Sequence, residues 1–281
     1  MRGIDVSSYN GSINWDKVKE NGIDFAIIKA IRKDLNADKR FLENWNGCMK
    51  SNVSIAGVYN YSYATTEEKA RTDAKSLLKI LSGKKCTIWL DVEDNCQKNL
   101  GTKLIAIINA YAKVIKDAGY DFGVYTGLSF YNSYIKRYGG IKHKLWIARY
   151  GKNNGFLDVK YQPQIKDMVG WQYTSKGIVP GISGYVDLNV WYGDLDTNDI
   201  PDQSSKYPEP TRLLYKKFPM QYGSDVKWVQ EKLFNNGFLE EKEIDGWFGS
   251  KTDRATRLFQ LAKKIASDGK VGVITRNYLK M

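Results

Sequence analysis

The sequence predicts an α/β fold, in which an irregular TIM-like (β/α) barrel is followed by a linker and a small helical domain. Short apolar stretches with strand character alternate with amphipathic helical stretches over the first two thirds of the 281 residues. A polar segment containing prolines follows, and a new helical periodicity begins after it. We therefore predict a barrel at 1–196, a linker at 197–214 and a helical domain at 215–281.

The barrel is predicted from eight strands in order. They are Ile4–Val6, Phe25–Ala30, Ile55–Tyr63, Thr87–Val92, Phe122–Thr126, Leu145–Ala148, Val169–Tyr173 and Tyr185–Trp191. Helical stretches lie between the earlier strands, at Trp15–Asn21, Lys39–Ser51, Glu67–Leu81, Lys103–Ala118 and Leu128–Arg137. Because no helix is predicted after the last of these, the final strands are expected to be joined mainly by loops.

Carboxylates stand at the ends of several predicted strands. Asp91 and Glu93 end the fourth strand two residues apart, so they share a face with Cα atoms about 6.5–7 Å apart. Asp5 ends the first strand, and Asp187 lies in the last one. Since the C-terminal ends of barrel strands meet at one mouth, we expect the four side chains to lie together there.

Paired carboxyls are the groups that hydrolysis of a sugar bond requires. One must hold a proton for the leaving oxygen while another supports positive charge on the sugar carbon. Repulsion among four acids raises the pKa of at least one of them. Glu93 has the longer side chain and is the better candidate for the proton, while Asp91 is expected to stay ionised. A pair of this spacing also occurs on solvated rims and at Ca²⁺ or Mg²⁺ sites, so it is only a hypothesis by itself.

The C-terminal segment shows a helix followed by two similar turns. Apolar residues at 226, 229, 233 and 234 have the spacing of an amphipathic helix. Asp245-Gly246 and Asp268-Gly269 are tight turns, and each is followed by a glycine and by a threonine near the start of a helix. We expect these Asp-Gly residues to be structural rather than to contact a ligand.

The first part of the chain resembles the glycoside hydrolase family 25 lysozymes, which are N-acetylmuramidases of bacteria and phages. The matching segments are GIDVSS at 3–8, FAIIKA at 25–30, GVYNY at 57–61, LDVE at 90–93, GVYTG at 123–127, LWIARY at 145–150, WQYTS at 171–175 and VPGISGYVDLN at 179–189. The resemblance implies cleavage of the β-1,4 bond between N-acetylmuramic acid and N-acetylglucosamine. It also implies that Glu93 is the proton donor and Asp91 the transition-state stabiliser, with Asp5 and Asp187 lining the site.

Flat apolar side chains are expected along a groove that binds sugar rings, and the chain has 19 Tyr and 8 Trp. The same resemblance favours Tyr61, Tyr125 and Tyr150 as substrate contacts, together with Lys29 and Gln172. Four of the tryptophans, Trp15, Trp89, Trp146 and Trp171, are expected mainly to pack in the core. Whether the reaction retains or inverts configuration, or uses the N-acetyl group of the substrate, depends on side-chain positions that the sequence does not specify.

The last part of the chain resembles the peptidoglycan-binding domain 1 family, a three-helix module attached to many cell-wall hydrolases. The evidence is the pattern GxDVxxVQxxL, then DGxFGxxTxxAxxxFQ, then DGxVGxxT, over about residues 215–281. The segment 237–244 is longer than usual, so the pattern does not define the shape of a ligand groove.

Charge and residue usage narrow the partners and exclude other classes of enzyme. The net charge of +12 favours a polyanionic target such as a Gram-positive wall with its teichoic acids. No nucleic-acid motif is present, and no membrane insertion, metal or cofactor is predicted. A zinc amidase or a Cys-His peptidase is disfavoured because His143 is the only histidine and the cysteines at 48, 86 and 96 lack ligand spacing.

Localisation follows from the start of the chain. The first predicted strand begins near residue 3 with no signal peptide before it, which fits either a trimmed chain or release by lysis. We expect a phage endolysin that stays in the host cytoplasm until lysis and then acts on the cell wall. The alternative is a catalytically inactive wall-binding protein on the same fold. The sequence predicts neither the oligomeric state nor the host species.

Overall fold

The structure is a computed structural model that describes residues 1–192, 205–263 and 265–280, and it divides into two compact units. In the N-terminal unit eight strands close into a barrel in sequence order. The strands are β1 Arg2–Val6, β2 Phe25–Ile31, β3 Ser54–Tyr61, β4 Ile88–Asp91, β5 Phe122–Gly127, β6 Lys144–Ala148, β7 Met168–Gly177 and β8 Val186–Trp191. The predicted α/β barrel is therefore confirmed.

Helices cover the outside of the first half of the barrel. They are α1 Trp15–Glu20, α2 Phe41–Lys50, α3 Glu67–Leu81, α4 Thr102–Asp117 and α5 Leu128–Phe130. Thr66 caps α3, since its side chain accepts a hydrogen bond from the Lys69 amide at 3.2 Å. After α5 the chain continues as short π and 3₁₀ turns, and loops connect β6, β7 and β8. The irregular second half has the form that the sequence predicts.

The direction of the last strand is the irregular feature that matters for the site. Strands β1 to β7 are parallel to their neighbours in the series, whereas β8 is antiparallel to both β7 and β1. Because β8 runs the other way, its first residues lie at the mouth where β1 ends. Asp187 is thereby placed directly opposite Asp5 in the ladder.

Aromatic side chains fill the inside of the barrel. Trp89, Trp146 and Trp191 contact one another edge to face, with ring centroids 5.4–6.4 Å apart. Glycine is required beside them, since a Cβ atom on Gly123 would lie 2.1 Å from the Trp89 ring and one on Gly170 would lie 2.2 Å from the Trp191 ring. The floor of the mouth is therefore a layer of closely packed indoles.

The C-terminal unit contains three helices, α6 Ser224–Asn235, α7 Ser250–Ala262 and α8 Val273–Leu279, in the described part of the chain. Its core includes Val226, Val229, Leu233, Phe248 and Phe259, so the predicted helical face is the buried one. The small three-helix domain is confirmed.

The two Asp-Gly turns of this unit are held by the same hydrogen bonds. The buried Gln230 side chain donates to Asp245 and to the Trp247 carbonyl and accepts from the Gly246 amide. Gln260 makes the equivalent bonds to the Asp268-Gly269 turn. Both turns are thus tied to the core through a glutamine on the preceding helix.

The predicted linker extends over two different parts of the chain. Residues 197–204 lie outside the described residues. Residues 205–214 pack on the C-terminal unit: Glu209 forms a 2.7 Å ion pair with Lys280, and buried Leu214 bridges to Val271. Residues before 215 therefore already contact the C-terminal unit.

Candidate active site

A cleft of about 380 Å³ opens at the mouth of the barrel. All nine side chains predicted for the site line it: Asp5, Lys29, Tyr61, Asp91, Glu93, Tyr125, Tyr150, Gln172 and Asp187. Seven of these residues lie in seven different strands, and Glu93 and Tyr150 lie two residues after β4 and β6. The structure therefore brings the predicted set together, while the chemical role of each member stays a prediction.

Strand register explains why the carboxylates converge. Asp91 is the last residue of β4 and lies beside Tyr61 of β3 and Tyr125 of β5. Glu93 follows two residues later, where the strand has ended and the longer side chain reaches the mouth. Asp5 and Asp187 face each other across the β1–β8 ladder on the same cleft.

The pKa values of all four carboxyl groups are raised, and burial is the largest cause in each case. Burial, Asp5 and Asp94 raise the pKa of Glu93. Burial, the charge of Asp5 and a hydrogen bond to Asp5 raise the pKa of Asp187 to about 8. Burial also raises the pKa of Asp5, although hydrogen bonds from Asn189 and Gln172 oppose this effect. The cleft therefore favours a partly protonated cluster.

Asp91, which the sequence analysis expects to stay ionised, lies in a buried position. Its side chain is 6% exposed, and its Oδ1 atom is buried with no hydrogen-bond partner among the described residues. Burial together with the charges of Glu93 and Asp5 raises the pKa of Asp91 well above its usual range, and Lys29 offsets this only in part. Burial, which the sequence does not reveal, therefore opposes the ionised form of Asp91.

Asp5 is held by two side-chain amides. Gln172 Nε2 and Asn189 Nδ2 each donate to Asp5 Oδ2 at 2.8 Å. Gln172 Oε1 accepts hydrogen bonds from the hydroxyls of Tyr125 and Tyr150, both at 2.7 Å. The polar atoms of these residues are thus largely engaged with one another inside the cleft.

Aromatic rings and a lysine form one wall of the cleft. The Lys29 ammonium lies 5.7 Å from the ring centre of Tyr59 and 6.0 Å from that of Tyr61. The Tyr61 hydroxyl donates to Asp94 at 3.1 Å. The sequence predicts a third strand that extends to Tyr63, but β3 ends at Tyr61; the Tyr63 ring still contacts the Tyr61 ring, with centroids 4.9 Å apart and planes inclined by 48°.

Several residues of the cleft were not predicted from the sequence. Tyr9 and Tyr185 stand at its rim, 93% and 61% exposed, and Trp146, which was expected mainly to pack, lies at its buried floor. Asn189 is fully buried and contacts Asp5. Its position two residues after Asp187 on a strand was the one available signal, because that spacing puts both side chains on the same face.

The described residues contain no group of three or more His, Cys, Asp and Glu side chains placed to hold a metal ion. Cys48, Cys86 and Cys96 are free thiols. No helix in the described ranges is both long enough and apolar enough to cross a membrane.

Comparison with known proteins identifies the family. The sequence model described as glycosyl hydrolases family 25 matches residues 4–182, and the one described as putative peptidoglycan binding domain matches residues 222–279. The chain therefore belongs to glycosyl hydrolase family 25 and is a glycoside hydrolase of the lysozyme type. The second match assigns the C-terminal unit to a domain family associated with peptidoglycan.

Individual relatives agree with this assignment. The autolytic lysozyme of Clostridium acetobutylicum is 29% identical over 268 residues, which are 92% of this chain and 72% of that protein. The solved catalytic domain of endolysin ply40 from bacteriophage P40 of Listeria monocytogenes is 25% identical with a TM-score of 0.60, covering 70% of this chain and 95% of that one. The structure of the bacterial lysozyme from Streptomyces coelicolor is 28% identical with a TM-score of 0.59, covering 69% of this chain and 92% of that one.

Proposed function

We propose that the cleft hydrolyses the β-1,4 bond between N-acetylmuramic acid and N-acetylglucosamine in peptidoglycan, with Glu93 as the proton donor. The observation that carries the proposal is the convergence of four carboxyl groups in one cleft of a family 25 barrel. Glu93 is partly buried at the mouth and its pKa is raised, so it can hold a proton where a bridging oxygen would lie.

Asp91 is proposed to stabilise the transition state. Charging this carboxyl is costly, because one of its oxygens is buried with no hydrogen-bond partner in the described part of the chain and Lys29 compensates only part of the charge. Positive charge that develops on the sugar ring supplies the missing partner. The ionised form of Asp91 is then favoured most when the oxocarbenium-like state forms, which is the differential stabilisation that catalysis requires.

The C-terminal unit is proposed to hold the enzyme on a Gram-positive wall. Its family match supports peptidoglycan as the ligand, and the net charge of +12 supports attraction to a phosphate-rich wall polymer. The rings of exposed Tyr222 and Trp247 contact each other, with centroids 4.5 Å apart and planes inclined by 39°, and offer an apolar surface to a ligand. A tethered binding unit raises the local concentration of the barrel at its substrate.

We further propose a phage endolysin that remains in the host cytoplasm until lysis. The likeness of the barrel to the ply40 endolysin domain supports this origin. Expression in a Gram-positive host should leave cells intact until the membrane is permeabilised with chloroform, after which the culture should clear. Clearing without permeabilisation would contradict the proposed localisation.

The bond specificity has a direct test. Purified peptidoglycan is digested with the full chain, and the soluble fragments are reduced and examined by mass spectrometry. Reduced N-acetylmuramic acid at the fragment ends is expected. Reduced N-acetylglucosamine, or free stem peptides without new sugar ends, would contradict the proposed reaction.

A further inference from the structure

A buried hydrogen-bond chain leads from the floor of the barrel to two of the mouth carboxylates. Trp146 Nε1 donates to Asn189 Oδ1 at 2.8 Å, and Asn189 Nδ2 donates to Asp5 Oδ2 at 2.8 Å. Asp5 in turn faces Asp187 across the β1–β8 ladder. Trp146 and Asn189 are 2% and 0% exposed, so water does not compete for these bonds.

The direction of each bond in this chain is fixed by chemistry. An indole N–H can only donate, so the Asn189 atom that faces Trp146 must be the carbonyl oxygen. The amide nitrogen of Asn189 must then face Asp5. Gln172 is fixed in the same sense, since its reversed orientation would place a carbonyl oxygen against the Asp5 carboxylate. Two N–H groups therefore converge on the same oxygen of Asp5.

The two facing carboxyl groups of Asp5 and Asp187 have different hydrogen-bond partners. Asp5 and Asp187 lie directly opposite each other in the β1–β8 ladder and line the same cleft, so repulsion between their charges favours one proton on the pair. Donors directed at Asp5 favour negative charge on that residue. Asp187 has no hydrogen bond from an amide group within the described residues. The shared proton is accordingly more stable on Asp187.

We propose that Asn189 and Gln172 are positioning residues that keep Asp5 ionised and place the shared proton on Asp187, and that Trp146 fixes the orientation of Asn189. The proposal rests on the proposed function only in taking this pair as part of the catalytic cleft. The raised pKa of Asp187, about 8, agrees with it. With Asp187 neutral, one negative charge fewer surrounds Asp91 and Glu93, so ionising Asp91 costs less.

Other charged or titratable groups also face the Asp5–Asp187 pair. They lie on the strands that surround the cleft or just after them: Lys29 of β2, Tyr59 of β3, Asp91 of β4 with Glu93, Tyr125 of β5 and Tyr150 after β6. None of these groups is an amide that donates a hydrogen bond to Asp5. Removing Asn189 therefore changes the support of Asp5 without changing the number of charges around it.

Asn189→Leu tests the proposal in the full chain. We expect the lower titration midpoint of the Asp5–Asp187 pair, followed by ¹³C NMR of labelled aspartate carboxyls, to rise by about one to two pH units because a bond to the charged form is lost. The acidic limb of the pH profile of kcat/KM should rise in parallel, while the alkaline limb moves little. Gln172→Met should shift the same midpoint in the same direction.

Trp146→Phe is a second variant, and Trp89→Phe is its matched control. Both tryptophans are buried in the same ring cluster, but Trp89 donates to the Ala56 carbonyl and not to Asn189. Trp146→Phe frees the Asn189 amide to turn, so a smaller upward shift is expected. Trp89→Phe should lower stability with no shift of the carboxyl midpoint.

Unshifted midpoints in Asn189→Leu and Trp146→Phe, with a uniform fall in kcat, would overturn the proposal and leave these residues a structural role only. If Asn189→Leu does not fold, the comparison of the carboxyl midpoints in Trp146→Phe and Trp89→Phe still tests the proposal. The carboxyl titration needs no turnover, so it tests the hydrogen-bond chain even if the parent protein releases no sugar ends. A parent protein that releases no sugar ends would contradict the proposed function and leave the hydrogen-bond proposal intact.

Discussion

The raised pKa of Asp187 predicts how the stability of the protein depends on pH. The pKa of this carboxyl is 3.8 in an unfolded chain and about 8 in the folded protein. Between these values the folded state binds the proton that the unfolded state has lost. The free energy of unfolding therefore falls as pH rises from about 4 to about 8, and Asp187→Asn should abolish this part of the loss.

The magnitude follows from the size of the shift. About four pKa units correspond to about 6 kcal/mol at 1.36 kcal/mol per unit. The proton is shared with Asp5 and the Asp187 side chain is not fully buried, so we expect about 2–4 kcal/mol to remain. Asp187→Asn should accordingly gain about that much stability relative to the parent on going from pH 4 to pH 8.

Urea unfolding of the parent and the variant at pH 4, 6 and 8 measures this difference. Effects of Asp5, Asp91 and Glu93 that do not depend on residue 187 cancel in the comparison. Asp117→Asn is the control, since it removes one negative charge from a side chain that is 62% exposed on α4. A difference between parent and Asp187→Asn that is the same at all three pH values would refute the reasoning.

Two further predictions concern the C-terminal unit. Gln230→Leu leaves the Gly246 amide without its partner and removes one of the hydrogen bonds to the Trp247 carbonyl, so it should destabilise the unit by about 1–3 kcal/mol in thermal or urea unfolding, and Gln260→Leu should do the same. Near-native stability of both variants would contradict the role of these glutamines. Trp247→Ala should weaken retention on purified walls about tenfold, as expected for loss of about 1.4 kcal/mol of aromatic contact, while hydrolysis of a soluble glycan fragment stays unchanged. Leu261→Ala, which removes another exposed apolar side chain, is the control, and equal retention by both variants would exclude the aromatic surface as the wall contact.

Another prediction concerns the barrel interior. Gly123→Ala would place a methyl group 2.1 Å from the Trp89 ring, so the indole layer must move. We expect a loss of about 1–3 kcal/mol in stability and a fall in activity, measured by urea unfolding and wall turbidity. Gly249→Ala is the control, since its φ of −88° suits any residue and the atom nearest the added methyl is Met220 Sδ at 3.6 Å; a loss in Gly123→Ala no larger than in that variant would contradict the packing argument.

The sequence predicts the barrel well because its strands are short, apolar and regularly separated by helices. It also places Asp5 and Asp91 at strand ends, and strand ends meet at the mouth of any such barrel. The antiparallel direction of β8 is not encoded in a local pattern, since a strand has the same alternation in both directions. Only the ladder shows that Asp187 faces Asp5.

The ionisation states could not be predicted from residue types. Glu93 was chosen as the protonated group from its length and its reference pKa, but the burial of Asp91 arises from contacts between strands that are distant in sequence. Asn189 was missed for a similar reason. Its amide matters only because Trp146, 43 residues away, fixes its orientation. Such long-range polar contacts are determined by packing and not by spacing.

The most direct test of the account is the release of reducing sugar ends from purified peptidoglycan by Glu93→Gln, with Glu68→Gln on the exposed surface of α3 as the control. Loss of the proton donor is predicted to lower kcat at least about 10²-fold while thermal stability and wall binding stay near those of the parent. Near-normal release by Glu93→Gln, or no release by the parent chain itself, would contradict the central claim that this carboxyl drives glycan cleavage.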